Sequence, residues 1–162
     1  MQKAHLIHHS PEIHHSPEHT AHDDIISLSY TDRFLRRKKL VTDGGLSFVL
    51  DLEQTTSLDD GDYIEIADGT RILVKAKPER LAKITGPNLL EFAWHIGNRH
   101  TPCQIMSGYL LIQADHVIEH MIEHIGGFVE HVTEPFTPLG GAYGAGRTHS
   151  HDHGVSAHVH AH

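Results

Sequence analysis

Apolar and polar positions along the chain fall into two rhythms. Leu46, Phe48, Leu50 and Leu52 alternate with Ser47, Val49 and Asp51 after the turn signal Asp43-Gly44-Gly45, the period of a strand with one buried face. Tyr63 to Ile66 and Arg71 to Ala76 flank Asp68-Gly69, a dipeptide suited to a tight hairpin. Strand-like patterning begins at Ile25, so residues 24–77 read as a small all-β domain. From Arg80 the rhythm changes. Residues 80–85 form a strand candidate, and Gly86-Pro87-Asn88 leads into a helix carrying Leu89, Leu90, Phe92, Ala93 and Ile96, with Gly97 as its stop. Strand candidates follow near 102–106 and 109–114. A second helix opens on the favourable N-cap Asp115, runs to about Ile125 and closes at Gly126-Gly127, before a last strand, Phe128 to Val132. The order βαββαβ predicts a ferredoxin-like unit over 78–138. The fold class is therefore α+β.

The remaining stretches are polar. Residues 1–23 contain the repeat His8-His9-Ser10-Pro11-Glu12 and His14-His15-Ser16-Pro17-Glu18, whose composition buries too little apolar surface to offset ordering, so a disordered extension is expected. Residues 139–162 read as a flexible Gly- and His-rich tail. Composition sharpens this division: 19 of 162 residues are His, against 13 Lys and Arg together. Seven lie in residues 1–22 and six in residues 149–162, leaving His95, His100, His116, His120, His124 and His131 in the middle.

Charge and cysteine content exclude several classes. A formal charge of −8 argues against a nucleic-acid partner, because no basic stripe is available to replace phosphate counterions. Arg33, Arg36, Arg37, Lys38 and Lys39 form a local cluster, read as a solvated face or a contact for an acidic protein. No apolar run approaches the roughly 18–20 residues that cross a bilayer, and no apolar signal core is found at the N-terminus, so a cytoplasmic protein without membrane partners is expected. A single cysteine, Cys103, excludes thiolate-rich zinc modules. Cys103 itself reads as a small, buried apolar residue. Metal, if bound, is held by imidazole with carboxylate or water.

Three constellations invite chemistry. Asp59, Asp60 and Asp62 lack the spacing of a calcium loop and read as a solvated turn. On the second helix, a rotation of 100° per residue puts His116, His120 and His124 on one edge and Val117, Ile118, Met121, Ile122 and Ile125 toward the core. His120-Met121-Ile122-Glu123-His124 also fits the inverted zinc-protease pattern H-x-x-E-H. Only 38 residues follow it, too few to scaffold a third ligand, so no enzyme is expected; solvent-facing polarity carries more weight, with a secondary metal site shared by imidazoles at i and i+4 as the lesser reading. The pointed segment is Trp94 to Pro102, where a helix ending at Gly97 leaves Asn98, Arg99 and His100 on an exposed connection.

That segment and its surroundings resemble the UreE-type urease accessory proteins, nickel metallochaperones of urease maturation. The resemblance rests on Thr31-Asp32-Arg33 with Arg36-Arg37-Lys38, Gly61-Asp62, Asp68-Gly69, His95 to Pro102, Asp115-His116-Val117 with Met121, Pro135-Phe136, and Gly141-Ala142-Tyr143. It covers about residues 24–143 and the tail. It implies a β domain similar to the peptide-binding domains of certain chaperones, and a ferredoxin-like domain that forms a homodimer. It also implies that His100 meets its symmetry mate and binds nickel, with His149, His151 and His153 completing the coordination and His116, His158, His160 and His162 as further donors. Zinc or copper can occupy the same donors. Implied partners are the urease apoprotein and urease accessory proteins, including the accessory GTPase. Some relatives carry a His-x-His pair leading into the second helix; here Ala114-Asp115-His116 keeps only its second member. A long His-rich N-terminal extension is also outside the usual pattern. The competing reading is a divalent-metal storage or buffering protein without directed delivery.

Overall fold

The computed structural model describes residues 2–9 and 21–140. Ten strands form two sheets: β1 (Gln2–His8), β2 (Asp24–Leu28), β3 (Phe34–Val41), β4 (Ser47–Ser57), β5 (Tyr63–Ile66) and β6 (Arg71–Ala76) in the first, β7 (Pro78–Thr85), β8 (Gln104–Met106), β9 (Tyr109–Gln113) and β10 (Phe128–Pro135) in the second. Helices α1 (Leu89–Gly97) and α2 (His116–His124) lie in the second half.

The first sheet has the order β2-β6-β5-β1-β4-β3. Its interior is built by period-two alternation, with Phe48 and Leu50 on β4, Ile64 and Ile66 on β5, and Ile72 and Val74 on β6 all buried. The Asp68-Gly69 hairpin forms as expected, with Gly69 at φ +89°, and β5 and β6 have the expected bounds.

The expectation of a disordered extension over residues 1–23 is corrected at its start. Gln2 to His8 is a central strand, parallel to β4 with Ala4 beside Leu50 and antiparallel to β5 with His8 beside Tyr63. The strand was illegible because Ala4 is its only fully buried residue; backbone pairing between two apolar neighbours holds it, so few apolar side chains were required of it. Residues 10–20 of the His-rich stretch, and 141–162 of the tail, lie outside the described residues.

The second half has the expected βαββαβ order, and its sheet runs β10-β7-β9-β8 with every neighbouring pair antiparallel. This is the ferredoxin-like arrangement. Ala82 and Ile84 of β7 stand opposite Ile112 and Leu110 of β9 and pack with Phe92 and Ile96 of α1 and Ile118 and Ile122 of α2. Val117, placed toward the core by helical spacing, is instead 61 % exposed while Ile118 beside it is buried: with Ile118 and Ile122 facing the sheet, the residue one 100° step before Ile118 turns outward. Leu90, in the first turn of α1, is 89 % exposed.

The opposite face of this sheet carries Leu81 and Leu111, which bury Phe136 with Tyr30, Tyr109 and Val132 against them. Tyr30 comes from the first domain, and its ring meets Phe136 edge-on at 5.2 Å. Arg33, expected on a solvated face, is instead 2 % exposed; its guanidinium donates to the carbonyls of Leu58 and Phe136. The rest of the basic cluster is exposed on the edge strand β3, where only Leu35 and Leu40 turn inward. Asp62, expected in a solvated turn, is also buried and accepts the Asp59 N–H at 2.7 Å. No helix among the described residues is long and apolar enough to cross a membrane.

Candidate metal centre

The exposed connection after α1 is a specific helix ending. The His100 N–H donates to the Gly97 carbonyl at 2.9 Å and the Thr101 N–H to the Ile96 carbonyl at 3.3 Å, the paired bonds of a Schellman motif. Such a motif needs one residue in the left-handed region, a place normally taken by glycine. Here that residue is His100, at φ +56°, which is the sole non-glycine with positive φ among the described residues. Gly97, expected to stop the helix, is still within it. The turn that stops α1 is made three residues later, by the candidate ligand itself.

This geometry has a cost and a use. A Cβ in the left-handed region costs roughly 1–2 kcal/mol, and strain of this kind persists where surrounding structure holds it. The hydrogen-bonded turn fixes the His100 backbone, and the residue is exposed. The carbonyl end of α1 favours positive charge nearby, by roughly 0.3–1 kcal/mol for a surface cation. Arg99 uses some of that field, its Nη1 donating to the His95 carbonyl at 3.2 Å. His95 lies half-buried, its ring edge-on to Trp94 at 5.0 Å.

Cys103, three residues on, is half-buried against the second core, as expected for a small apolar residue. Burial pushes its thiol up to about 11, which keeps it protonated and unsuited to bind metal as a thiolate. The chain that leads to the tail passes beside it: the Thr137 N–H donates to Gln104 Oε1 at 2.8 Å and the Leu139 N–H to the Cys103 carbonyl at 3.0 Å.

His116 occupies the first position of α2, exposed, just after Asp115, whose carboxylate caps the helix by accepting from Val117 N and Ile118 N. His120 and His124 continue along the same exposed edge. Among the described residues no three His, Cys, Asp or Glu side chains converge to hold a metal ion. The H-x-x-E-H spacing on α2 is therefore not matched by a third donor within the described part of the chain. His100 likewise meets no such set there. His149, His151, His153, His158, His160 and His162 lie outside the described residues.

Sequence reasoning missed two structural groups that carry charge. Arg33 was hidden among neighbouring cations, although it lies in the short 3-10 turn Thr31–Arg33 ahead of β3 and not on the strand that exposes the others. Asp62 was hidden among neighbouring acids, although Tyr63 and Ile64 beside it begin a buried strand.

Comparison with known proteins covers both domains. Residues 4–77 match the family model for the UreE urease accessory protein, N-terminal domain, and residues 79–162 match that for its C-terminal domain. The first match begins inside β1, in line with the strand found there. The urease accessory protein UreE of Ruegeria pomeroyi is 56% identical over 131 residues, 81% of this chain and 88% of the relative. That of Cereibacter sphaeroides is 54% identical, covering 80% of this chain and 70% of the relative. That of Rhodobacter capsulatus is 50% identical, covering 85% and 87%.

Proposed function

The chain belongs to the UreE urease accessory protein family, and from that premise we propose that it is a nickel metallochaperone donating Ni2+ to apo-urease during metallocentre assembly. Its family is named for service to an enzyme rather than for a reaction of its own. The observation that carries the reading is His100: an exposed imidazole fixed in a left-handed turn, with no converging donors among the described residues of its own chain. A donor so placed is completed from outside, by a second copy and by the tail.

In this reading two chains form a homodimer through their C-terminal domains and the two His100 side chains share one ion. The exposed apolar residues Leu90, Trp94 and Val117 give that domain surface to cover. The remaining coordination positions go to water and to the tail donors His149, His151 and His153, with His158, His160, His162 and His116 as exchange ligands. Ni2+ is well served by neutral imidazole and open nitrogen–oxygen geometries. Ligands that come and go singly let the cargo leave for urease, which a closed cage would prevent. Zinc and copper fit the same imidazoles, so selection for nickel rests on geometry and supply. The urease apoprotein and the accessory GTPase are the proposed partners, with the exposed cations Arg36 to Lys39 on β3 as a contact for an acidic surface.

Thirteen of the nineteen histidines lie in the two terminal stretches, which favours a second reading, metal storage without directed delivery. Urease activation separates the two. With the chain ended after Gly140, delivery through His100 predicts that activation persists at a reduced rate and that His100→Ala then abolishes it. Complete loss on tail removal alone supports storage in the tail.

A further inference from the structure

We infer that residues 136–139 form a strap that carries the chain across the second sheet and moors the start of the tail beside the segment holding His100, with Gln104 as its positioning residue. This rests on the reading in which tail imidazoles join the ion at His100, and adds how the chain brings them there.

β10, the last strand, and β8, the strand that follows the His100 connection, are the two opposite edges of the sheet β10-β7-β9-β8. Three strand spacings of about 4.8 Å put these edges roughly 14 Å apart. A tail that began where β10 ends, at Pro135, would start from the edge away from His100. Instead Phe136 packs on Leu81 of β7 and Leu111 of β9, and the Arg33 guanidinium of the first domain donates to its carbonyl. The Thr137 N–H then donates to Gln104 Oε1 at 2.8 Å, and the Leu139 N–H to the Cys103 carbonyl at 3.0 Å. Within four residues the backbone passes from one edge strand to the other.

Stability accounts for the first of these contacts and not for the last two. Phe136 is fully buried and holds the junction. Thr137 and Leu139 are exposed, Leu139 at 67 %, so they bury little, and what their hydrogen bonds fix is a route. Gln104 is placed to receive it. The side chain pairs across the ladder with Leu111, and directly opposed residues share a face of the sheet, here the face that Phe136 crosses.

His100 and Cys103 are three residues apart, at most about 11 Å of chain, which leaves the moored Leu139 N–H within roughly 14 Å of His100. Ten residues lead from Leu139 to His149, up to about 35 Å of chain, so the first tail donor reaches that position. The effective concentration of a tethered ligand is highest when the tether matches the span and falls as about the −3/2 power of its length. Without the two hydrogen bonds the tether would begin at Phe136, thirteen residues from His149. That lengthening alone lowers the effective concentration about 1.5-fold, and the retreat toward β10 lowers it further.

Calorimetric titration with Ni2+ alone measures the tail's contribution as a ratio of affinities for the first ion: the full chain against the same chain with His149, His151, His153, His158, His160 and His162 all replaced by Ala. In Gln104→Ala, and separately in Leu139→Pro, which removes the other N–H donor, this ratio should fall at least about threefold, while the chain without tail histidines binds as before. Gln104→Glu keeps an acceptor for the Thr137 N–H and should keep the ratio. A ratio unchanged in both Gln104→Ala and Leu139→Pro overturns the inference, as does a wild-type ratio of one. Equal weakening with and without tail histidines also overturns it, because Gln104 would then only support the fold. Failure of the His100 reading shows elsewhere: in the chain without tail histidines, His100→Ala would leave the first Ni2+ bound as tightly as before.

Discussion

His100 concentrates the conflict between stability and function in one residue. Its left-handed backbone is where glycine would be favoured, so His100→Gly should stabilise the fold by about 1 kcal/mol while removing the imidazole. Urea denaturation of the metal-free protein checks the gain; an unchanged or lower midpoint would show that the turn at His100 carries no strain. His100→Ala keeps a Cβ in the same region and should show no such gain. Cys103 gives the second prediction at this scale. With its thiol pushed up to about 11, the thiolate is scarce at pH 8, and alkylation by iodoacetamide should be at least tenfold slower than for a free cysteine of ordinary pKa near 8.5. A rate equal to that of the unfolded protein would contradict the burial.

At the scale of elements, the junction between the domains is the feature most exposed to mutation. Phe136 is fully buried among Leu81, Leu111 and Tyr30, so Phe136→Ala should cost about 3–5 kcal/mol, read as a lower midpoint in urea. The turn between β3 and β4 is tied to β2 by Asp24, whose carboxylate accepts from the Thr42 hydroxyl at 2.5 Å, Ile25 N at 2.8 Å and Gly44 N at 3.2 Å. The Thr42 hydroxyl first, and then the backbone N–H groups, hold the Asp24 carboxyl below the usual carboxylate range. A lowered folded-state value stabilises the protein above the unfolded value and loses that contribution as pH falls through the folded one. Thr42→Val should therefore flatten the loss of stability below about pH 4, measured by thermal unfolding at successive pH values; an unaltered slope would sink this assignment.

These elements also show what the sequence could and could not reveal. α2 was legible in its bounds, because Asp115 caps it, Ile118 and Ile122 recur at the helical period, and Gly126 closes it, though Val117, placed on its core face, is exposed. β5 and β6 were legible because the Asp68-Gly69 turn signal separates two short strand-like runs. β1 was not, since a strand held between two neighbours needs little apolarity of its own and its histidines imitate a disordered stretch. The candidate site was half legible. His100 could be placed after a helix stop, but the left-handed turn depends on backbone bonds from Thr101 to Ile96 that no composition signals, and Arg33 and Asp62 were masked by like charges beside them.

For the whole molecule, the two sheets and their junction form a scaffold that presents imidazoles at separate places: His100 after α1, His116, His120 and His124 along α2, and His8 and His9 beside β5. Imidazole binds metal only when neutral, so nickel loading should fall steeply below about pH 6 and recover on return to pH 7.5, given an ordinary imidazole pKa near 6.5. Equilibrium dialysis across that range checks it, and loading that persists at pH 5 would point to carboxylates as the main donors. In the proposed mechanism His100 organises the transferable nickel. Native mass spectrometry of the Ni2+-titrated chain, wild type against His100→Ala, reports subunit number and bound ions together. The expected result is a dimer whose first, tightest Ni2+ is shared by two chains and is lost in His100→Ala while other ions remain. A first Ni2+ bound equally by both proteins, or bound by single chains, would contradict it.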